Sequence, residues 1–226
     1  WDAATGQRVK KLKGHALYVN SCSVQEKYTG AGAILCSGSD DRTIWDLRAK
    51  EAVDTLEHPY QVTAVEFSSA GDQLFAGSLD NTITVWDVRQ RTISYLLEGH
   101  QDTVTGIRKS PDGQYLLSNS MDNTVRIWDV KPFAVGHRCI KVFEGAPHGF
   151  EKNLLKVAWS PDGTRVAAGS GDRTVVVWDV DTRRILYKLP GHKGCVNEVG
   201  FHPREPIVVS CSTDRTLYIG EINPSP

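Results

Sequence analysis

His100, Ser118 and Asp122 stand in that order within one short stretch. These are the residue types of a nucleophilic triad, in which a carboxylate orients a base that takes the proton of an attacking hydroxyl. The same types recur at similar offsets as His15, Ser37 and Asp41, and again as His192, Ser210 and Asp214. Two further copies are incomplete. His58 and Asp80 face Ala76 instead of a hydroxyl, and Asp172 faces Ala168 with no Gly-His in register. A catalyst needs one such set, whereas repetition is what a structural position produces. The trio is therefore expected to be a buried hydrogen-bonded scaffold, because buried polar groups must be satisfied and a connected set ties strands together. No other chemistry competes with that reading. The seven histidines show no metal-ligand spacing, the five cysteines form no paired motif, and no glycine-rich phosphate loop is present. No catalytic residue, metal or cofactor is expected, and His137, His148 and His202 are expected to be solvated loop histidines.

The trio needs elements that bring its members together, and Gly99–Asp129 shows them most completely. Three runs rich in Val, Ile, Leu and Thr (103–109, 115–119 and 124–128) are separated by Ser110-Pro-Asp-Gly113 and Met121-Asp-Asn123. Such runs between Pro, Gly, Asn and Asp turns predict antiparallel strands in hairpins. Trp-Asp falls at residues 1, 45, 86, 128 and 178, with Gly220-Glu221 in the same place at the end, so the spacings are 44, 41, 42, 50 and 42. Ser-Xaa-Asp-Xaa-Thr, beginning at Ser39, Ser78, Ser120, Ser170 and Ser212, keeps the same register. A period in the low forties with four strands per unit predicts propeller blades.

On these markers the chain resembles the WD-repeat β-propeller family over essentially its whole length. The resemblance implies an all-β fold of five blades forming one domain, 1–226, with repeats at about 14–46, 57–87, 99–129, 145–179 and 191–222 and a remnant of a preceding repeat at 1–13. It also implies that these are the C-terminal five blades of a seven-bladed ring. Outer strands are expected at Gln7–Lys13, Ala52–Glu57, Thr92–Glu98, Cys139–Glu144 and Arg184–Leu189, and the last blade lacks one. Family precedent extends the His-Ser-Asp set to a tryptophan. The implied network comprises His15, Ser37, Asp41 and Trp45; His58, Asp80 and Trp86; His100, Ser118, Asp122 and Trp128; Asp172 and Trp178; and His192, Ser210 and Asp214, with Gly220 where a tryptophan is usual.

Two irregularities interrupt the pattern. One residue, not three, separates Thr43 from Trp45, which keeps the in/out parity of that strand but shortens it by roughly 7 Å. The fourth repeat is long, with extra residues in Lys131–Arg138 and Ala146–Phe150, loops on opposite faces of a propeller.

Function is then expected in surface recognition, because loops on a rigid scaffold carry binding residues. The resemblance puts two positions per repeat on one rim. Three residues after the histidine stand Tyr18, Gln61, Thr103 and Cys195; before the turn aspartate stand Asp40, Leu79, Met121, Gly171 and Thr213. Tyr18, Tyr60, Gln61, Leu79 and Met121 are candidate partner-binding residues, several of them apolar where a loop tip is usually polar. Phe150 and Lys152, in the insertion that replaces Gly-His, complete the candidate set.

Composition narrows the class. With 226 residues, 40% apolar content and a net charge of −1, neither disorder nor a broad nucleic-acid coat is suggested. No apolar run is long enough for a spanning helix, and the odd cysteine count reads as reduced thiols; Cys22–Cys36 and Cys195–Cys211 are the alternative, disulfide-bonded pairings. Several stretches go beyond generic repeats: Tyr60–Val65, Tyr115–Asp129 with Pro132-Phe133, Phe150–Leu155, Arg184–His192, Asn197–Pro203 and Tyr218–Ile222. On these, the chain resembles the family of WD-repeat subunits of the spliceosomal U5 small nuclear ribonucleoprotein, departing from it at Thr43–Trp45, His58 and Glu26–Gly32. That resemblance implies a non-enzymatic nuclear scaffold in pre-mRNA splicing. Its partners would be the large central splicing factor of U5 and the GTPase beside it, with RNA contact peripheral and neither membrane nor small-molecule substrate. A substrate-receptor propeller of a cullin-type ubiquitin ligase is the alternative.

Overall fold

The computed structural model describes all residues except 1, 3, 9–10, 26–33, 47–53, 135 and 223–226, and omits the side chains of 34, 45, 46 and 54. The described residues form nineteen strands in five antiparallel sheets and no helix. The first sheet runs β1 (Val19–Gln25), β2 (Ile34–Ser39), β3 (Thr43–Asp46) and β4 (Asp54–Glu57). The second holds β5 (Val62–Phe67), β6 (Gln73–Ser78), β7 (Ile83–Asp87) and β8 (Thr92–Leu97). The third holds β9 (Val104–Lys109), β10 (Tyr115–Ser120), β11 (Thr124–Asp129) and β12 (Cys139–Glu144). The fourth holds β13 (Val157–Trp159), β14 (Arg165–Gly169), β15 (Val175–Asp179) and β16 (Ile185–Leu189). The last has only β17 (Val196–Phe201), β18 (Ile207–Ser212) and β19 (Leu217–Glu221). Each sheet is a meander in chain order. Of the expected outer strand at Gln7–Lys13, residues 9–10 lie outside the described residues and residues 7, 8 and 11–13 are irregular. No partner strand is paired with them.

Alternation along the strands explains why the sheets stack. On β10, Leu116 turns with Trp128 towards the second sheet and packs on Phe75, Val85 and Leu97. Leu117, one residue on, turns with Val125 and Ile127 towards the fourth sheet, against Val157, Val166 and Trp178. The first and second sheets share a core of Cys36, Ile44, Val62, Phe67 and Trp86; the fourth and fifth share Ala167, Val177, Val199 and Val208. Both faces of a sandwiched sheet are therefore apolar, whereas the outer strands are largely exposed. This is the radial blade arrangement of a propeller. At the far end, β19 pairs among the described residues only with β18 and leaves Leu217, Tyr218 and Ile219 exposed.

Bulges in the innermost strands add polar links between blades. Asn20, Thr63 and Thr105 each interrupt the register of their strand, and a bulge re-aims a side chain. Asn20 Nδ2 donates to the Val62 carbonyl at 2.9 Å, Thr63 Oγ1 to that of Val104, and Thr105 Oγ1 to that of Leu155 at 2.9 Å. Lys156 joins three sheets at once, its Nζ donating to the Thr63 and Thr105 carbonyls at 3.1 Å each. Burial pulls its pKa down to about 8. All five cysteines are free thiols.

Candidate interaction face

The hydrogen-bonded set of the third sheet is complete. His100 Nδ1 lies 2.9 Å from Asp122 Oδ2, its Nε2 lies 2.6 Å from Ser118 Oγ, and Trp128 Nε1 donates to that same Oγ at 2.7 Å. One proton arrangement satisfies every member: the indole donates to the serine, the serine to Nε2, and Nδ1–H to the carboxylate. Burial pushes the Asp122 carboxyl up, but bonds from His100, the Gln101 N–H and Thr124 outweigh it and hold it well below the carboxylate range. Burial lowers the His100 pKa, against the bond and charge of Asp122. The distances are those of a triad, yet Ser118 has no accessible surface and its oxygen already accepts the indole proton. No attacking group is presented.

The other repeats vary this set. His15 bonds Asp41 at 2.9 Å and Ser37 at 2.7 Å, and backbone and hydroxyl donors hold Asp41 at a pKa of about 2 against the penalty of its burial. Trp45 does not sit where Trp128 does. It pairs with Ser37 itself, whereas Trp128 pairs with Leu116, two residues before Ser118. The two missing residues carry it to the place that Arg126 occupies in the third sheet, and its side chain lies outside the described residues. His192 keeps Ser210 at 2.9 Å and Asp214 at 3.3 Å. In place of an indole it has the edge of Tyr218, with ring centroids 4.5 Å apart.

In the second and fourth sheets the expected network does not form. His58 turns away from Asp80: Nε2 bonds Thr84 Oγ1 at 3.0 Å and Nδ1 lies 3.0 Å from the Tyr60 carbonyl. Asp80 bonds Ser78 and Thr82 instead, and the buried Trp86 Nε1 has no partner. Ala76 offers no hydroxyl, so the ring finds one on the facing strand. Trp178 donates to the Glu144 carbonyl at 2.9 Å, and Asp172 pairs with Lys188 at 2.7 Å. Arg126, Thr84 and Tyr218 all stand opposite the residue equivalent to Ser118. Sequence reasoning passed over that position because its residue type changes in every repeat.

The turn marker has one geometry throughout. The aspartate accepts from the threonine N–H two residues on, at 2.8–3.2 Å in all five copies. The intervening Arg42, Asn81, Asn123, Arg173 and Arg215 take positive φ. Asp41, Asp122 and Asp214 also accept an N–H from the residue after the histidine, tying the turn to the preceding loop.

These ties place the two rim positions side by side. Backbone N–H groups of Asp40, Leu79, Met121 and Thr213 donate to the carbonyls of Tyr18, Gln61, Thr103 and Cys195 at 2.9–3.1 Å, and Gly171 donates to Pro147 at 2.7 Å. The pairs recur from sheet to sheet along one face. Tyr18 is 80% exposed, and Tyr60 and Leu79 are about half exposed. Gln61 and Met121 are partly covered and Lys152 is exposed at positive φ. Phe150, at 104%, projects fully from its loop. That loop rests directly on the neighbouring turn, since a Cβ on Gly171 would overlap the Gly149 nitrogen. His137 and His202 are not in the hydrogen-bonded sets, and His202 Nδ1 accepts the Arg204 and Glu205 N–H groups.

His148 is not the solvated loop residue expected. Both ring nitrogens are buried without a hydrogen bond of good geometry, and desolvation, against Asp122, Asp102 and the Asn153 backbone, pulls its pKa from 6.5 to about 4. The unfolded chain takes up a proton at this ring below about 6.5 and the folded chain only below about 4. Stability at this site therefore falls as pH drops through that window, by about 2 kcal/mol after allowance for partial exposure. Urea unfolding at several pH values should show a slope there that His148→Met flattens; an unchanged slope would remove the ring from the account.

Fold and face together define a WD-type propeller. The model of the WD domain, G-beta repeat matches residues 6–46, 50–87, 91–129, 137–179 and 183–219, and the chain belongs to that family. Within it, the chain is 56% identical over 223 residues to the U5 small nuclear ribonucleoprotein 40 kDa protein of Homo sapiens, covering 98% of this chain and 62% of the relative. It is 50% identical to the protein of that name from Dictyostelium discoideum, over 99% of this chain and 63% of the relative. Pre-mRNA-splicing factor cwf17 of Schizosaccharomyces pombe is 49% identical, over 99% of this chain and 65% of the relative. The chain thus spans somewhat under two thirds of these relatives' length. Among the described residues no group of three or more His, Cys, Asp or Glu side chains is placed to hold a metal.

Proposed function

We propose that this chain is the propeller of a non-enzymatic scaffold in nuclear pre-mRNA splicing, belonging with the U5 small nuclear ribonucleoprotein. Its partners are protein subunits, the large central splicing factor and the neighbouring GTPase, and it contacts RNA only peripherally. The observation that carries this reading is the end-to-end identity with splicing proteins at about half of all positions. The balanced charge agrees with protein rather than RNA as the main partner. In this reading the five repeats, within one domain, are part of a seven-bladed ring. The rim carrying Tyr18, Tyr60, Gln61, Leu79, Met121, Phe150 and Lys152 is its binding face.

Affinity purification of the tagged chain from nuclear extract tests this. U5 RNA and splicing proteins should co-purify; a cullin adaptor without any spliceosomal component would reverse the assignment. Phe150→Ala should leave the unfolding midpoint unchanged, because the ring touches solvent on all sides, yet cut recovery of the splicing proteins about tenfold, as expected for an aromatic anchor of about 1.4 kcal/mol. Unchanged recovery would take Phe150 out of the interface.

A further inference from the structure

On the face opposite the rim, a cavity of about 320 Å³ opens between the third and fourth sheets. Tyr115, Ile127, Ile140 and Trp159 form its walls. Tyr115, Trp159 and Val180 are packed from behind on the core shared by the two sheets. Trp159 is further fixed by its Nε1, which donates to the Arg108 carbonyl at 3.2 Å. The cavity is thus preformed, with aromatic surface at its mouth, and its volume lies at the lower end of the ligand-site range.

Its charge is one-sided. Among the lining residues Asp112, Asp162 and Asp181 stand against a single ammonium, Lys141, with Arg165 near Asp162 and Lys131 near Asp112 outside the lining. That ammonium is already engaged, donating to the Val180 carbonyl at 2.8 Å and to Asp181 at 3.0 Å. The Asp181 side chain remains 95% exposed. Asp112 and Asp162 brace their own turns through Ser110 and Ser160, which fixes the carboxylates in place. Outside the cavity, Lys131 lies against Tyr115 and Asp129, with its Nζ 4.8 Å from the tyrosine ring centroid. A cation on this aromatic rim is therefore a contact the chain itself already makes.

We propose that this inter-sheet cavity is a second docking site, for an extended segment of a partner protein that presents an arginine beside an aliphatic side chain. The aliphatic group enters between Ile127, Ile140 and Val180, and the guanidinium lies over Trp159 within reach of Asp181 and Asp162. Arginine suits the place because it stacks on indole and meets carboxylates in the same plane. An RNA backbone is repelled by the same carboxylates. The site does not rest on the splicing assignment, and, lying on the opposite face, it leaves the rim free for another partner.

The probe is acetyl-Gly-Leu-Arg-Leu-Gly-amide, titrated into the full ¹⁵N-labelled chain. The readout is the Trp159 indole N–H resonance, identified by its loss in Trp159→Phe. A saturable shift in the millimolar range is expected. The peptide with Glu in place of Arg should bind about fivefold more weakly, and Asp181→Lys should weaken the Arg peptide by about the same factor, the scale of one exposed ion pair. Ile140→Glu, on an exposed outer strand, should also weaken binding, by placing a carboxylate where the aliphatic side chain would enter. Equal binding of both peptides, indifference to Asp181→Lys, or no saturation by about 10 mM would each overturn the proposal. So would a uridine oligonucleotide that moved the same resonance.

Discussion

Gly169→Ala should be among the most damaging single changes in the chain, costing about 3 kcal/mol or more. A Cβ at this position would overlap the Val196 carbonyl oxygen, with the Val196 carbonyl carbon 2.8 Å away. Neither neighbour can yield. Gly169 ends β14 opposite Val175, and Val196 opens β17, bonded through its N–H to the Ser170 carbonyl at 3.1 Å. The fourth and fifth sheets approach backbone to backbone here, and Ala168, Val175 and Val196 around them are buried. Moving the strands apart would open the core of Ala167, Val177 and Val199 between them. Far-UV circular dichroism in urea should show a large fall in midpoint. Gly200→Ala is the control, because nothing lies within 4 Å of its added Cβ. A midpoint shift no larger than the control's would mean that the close approach is not maintained in solution.

Trp128→Ala should cost about 4 kcal/mol, the range for emptying a large aromatic site in a core. Trp128 is 1% exposed, with its ring 5.8 Å from that of His100 and its indole on Ser118. The sharper comparison is with phenylalanine. Trp128→Phe keeps most of the packing but leaves Ser118 Oγ without its donor, inside a chain of bonds that runs on to His100 and Asp122. Trp86→Phe removes an equally buried indole N–H that has no partner to lose. The first substitution should therefore cost about 1–2 kcal/mol more than the second. Equal costs would show that the network contributes no more than its ring packing, and would weaken the case for reading these residues as the structural core of each repeat.

The repeat period and the strand-turn grammar were legible in the chain, because each rests on local chemistry repeated several times. Turn aspartates, Gly-His pairs and alternating apolar residues act within a few residues of themselves. What escaped acts across strands. Parity showed that Trp45 keeps its side of the sheet, but not that losing two residues moves it opposite Ser37, two positions from the register that Trp128 holds. Thr84 and Tyr218 compensate for Ala76 and Gly220 from the facing strand, where no motif marks them. Lys156 reads as an ordinary lysine in a loop, yet it reaches carbonyls of two other sheets. His148 looked like an insertion residue bound for water, but its loop folds down onto Gly171, whose missing side chain makes room for it. The rim pairs were expected on one face, and their direct backbone bonding follows from the turn ties.

The flank of β19 bears on how the chain behaves in quantity. Its backbone meets no second strand among the described residues, and Leu217, Tyr218 and Ile219 lie open along it. A largely apolar, unpaired flank is a template for another extended chain, including the same flank on another copy, and within β19 only the exposed Glu221 carries a charge that discourages such joining. Joining through this edge would rise steeply with concentration, a dependence that the folding stability of the sheets behind it does not share.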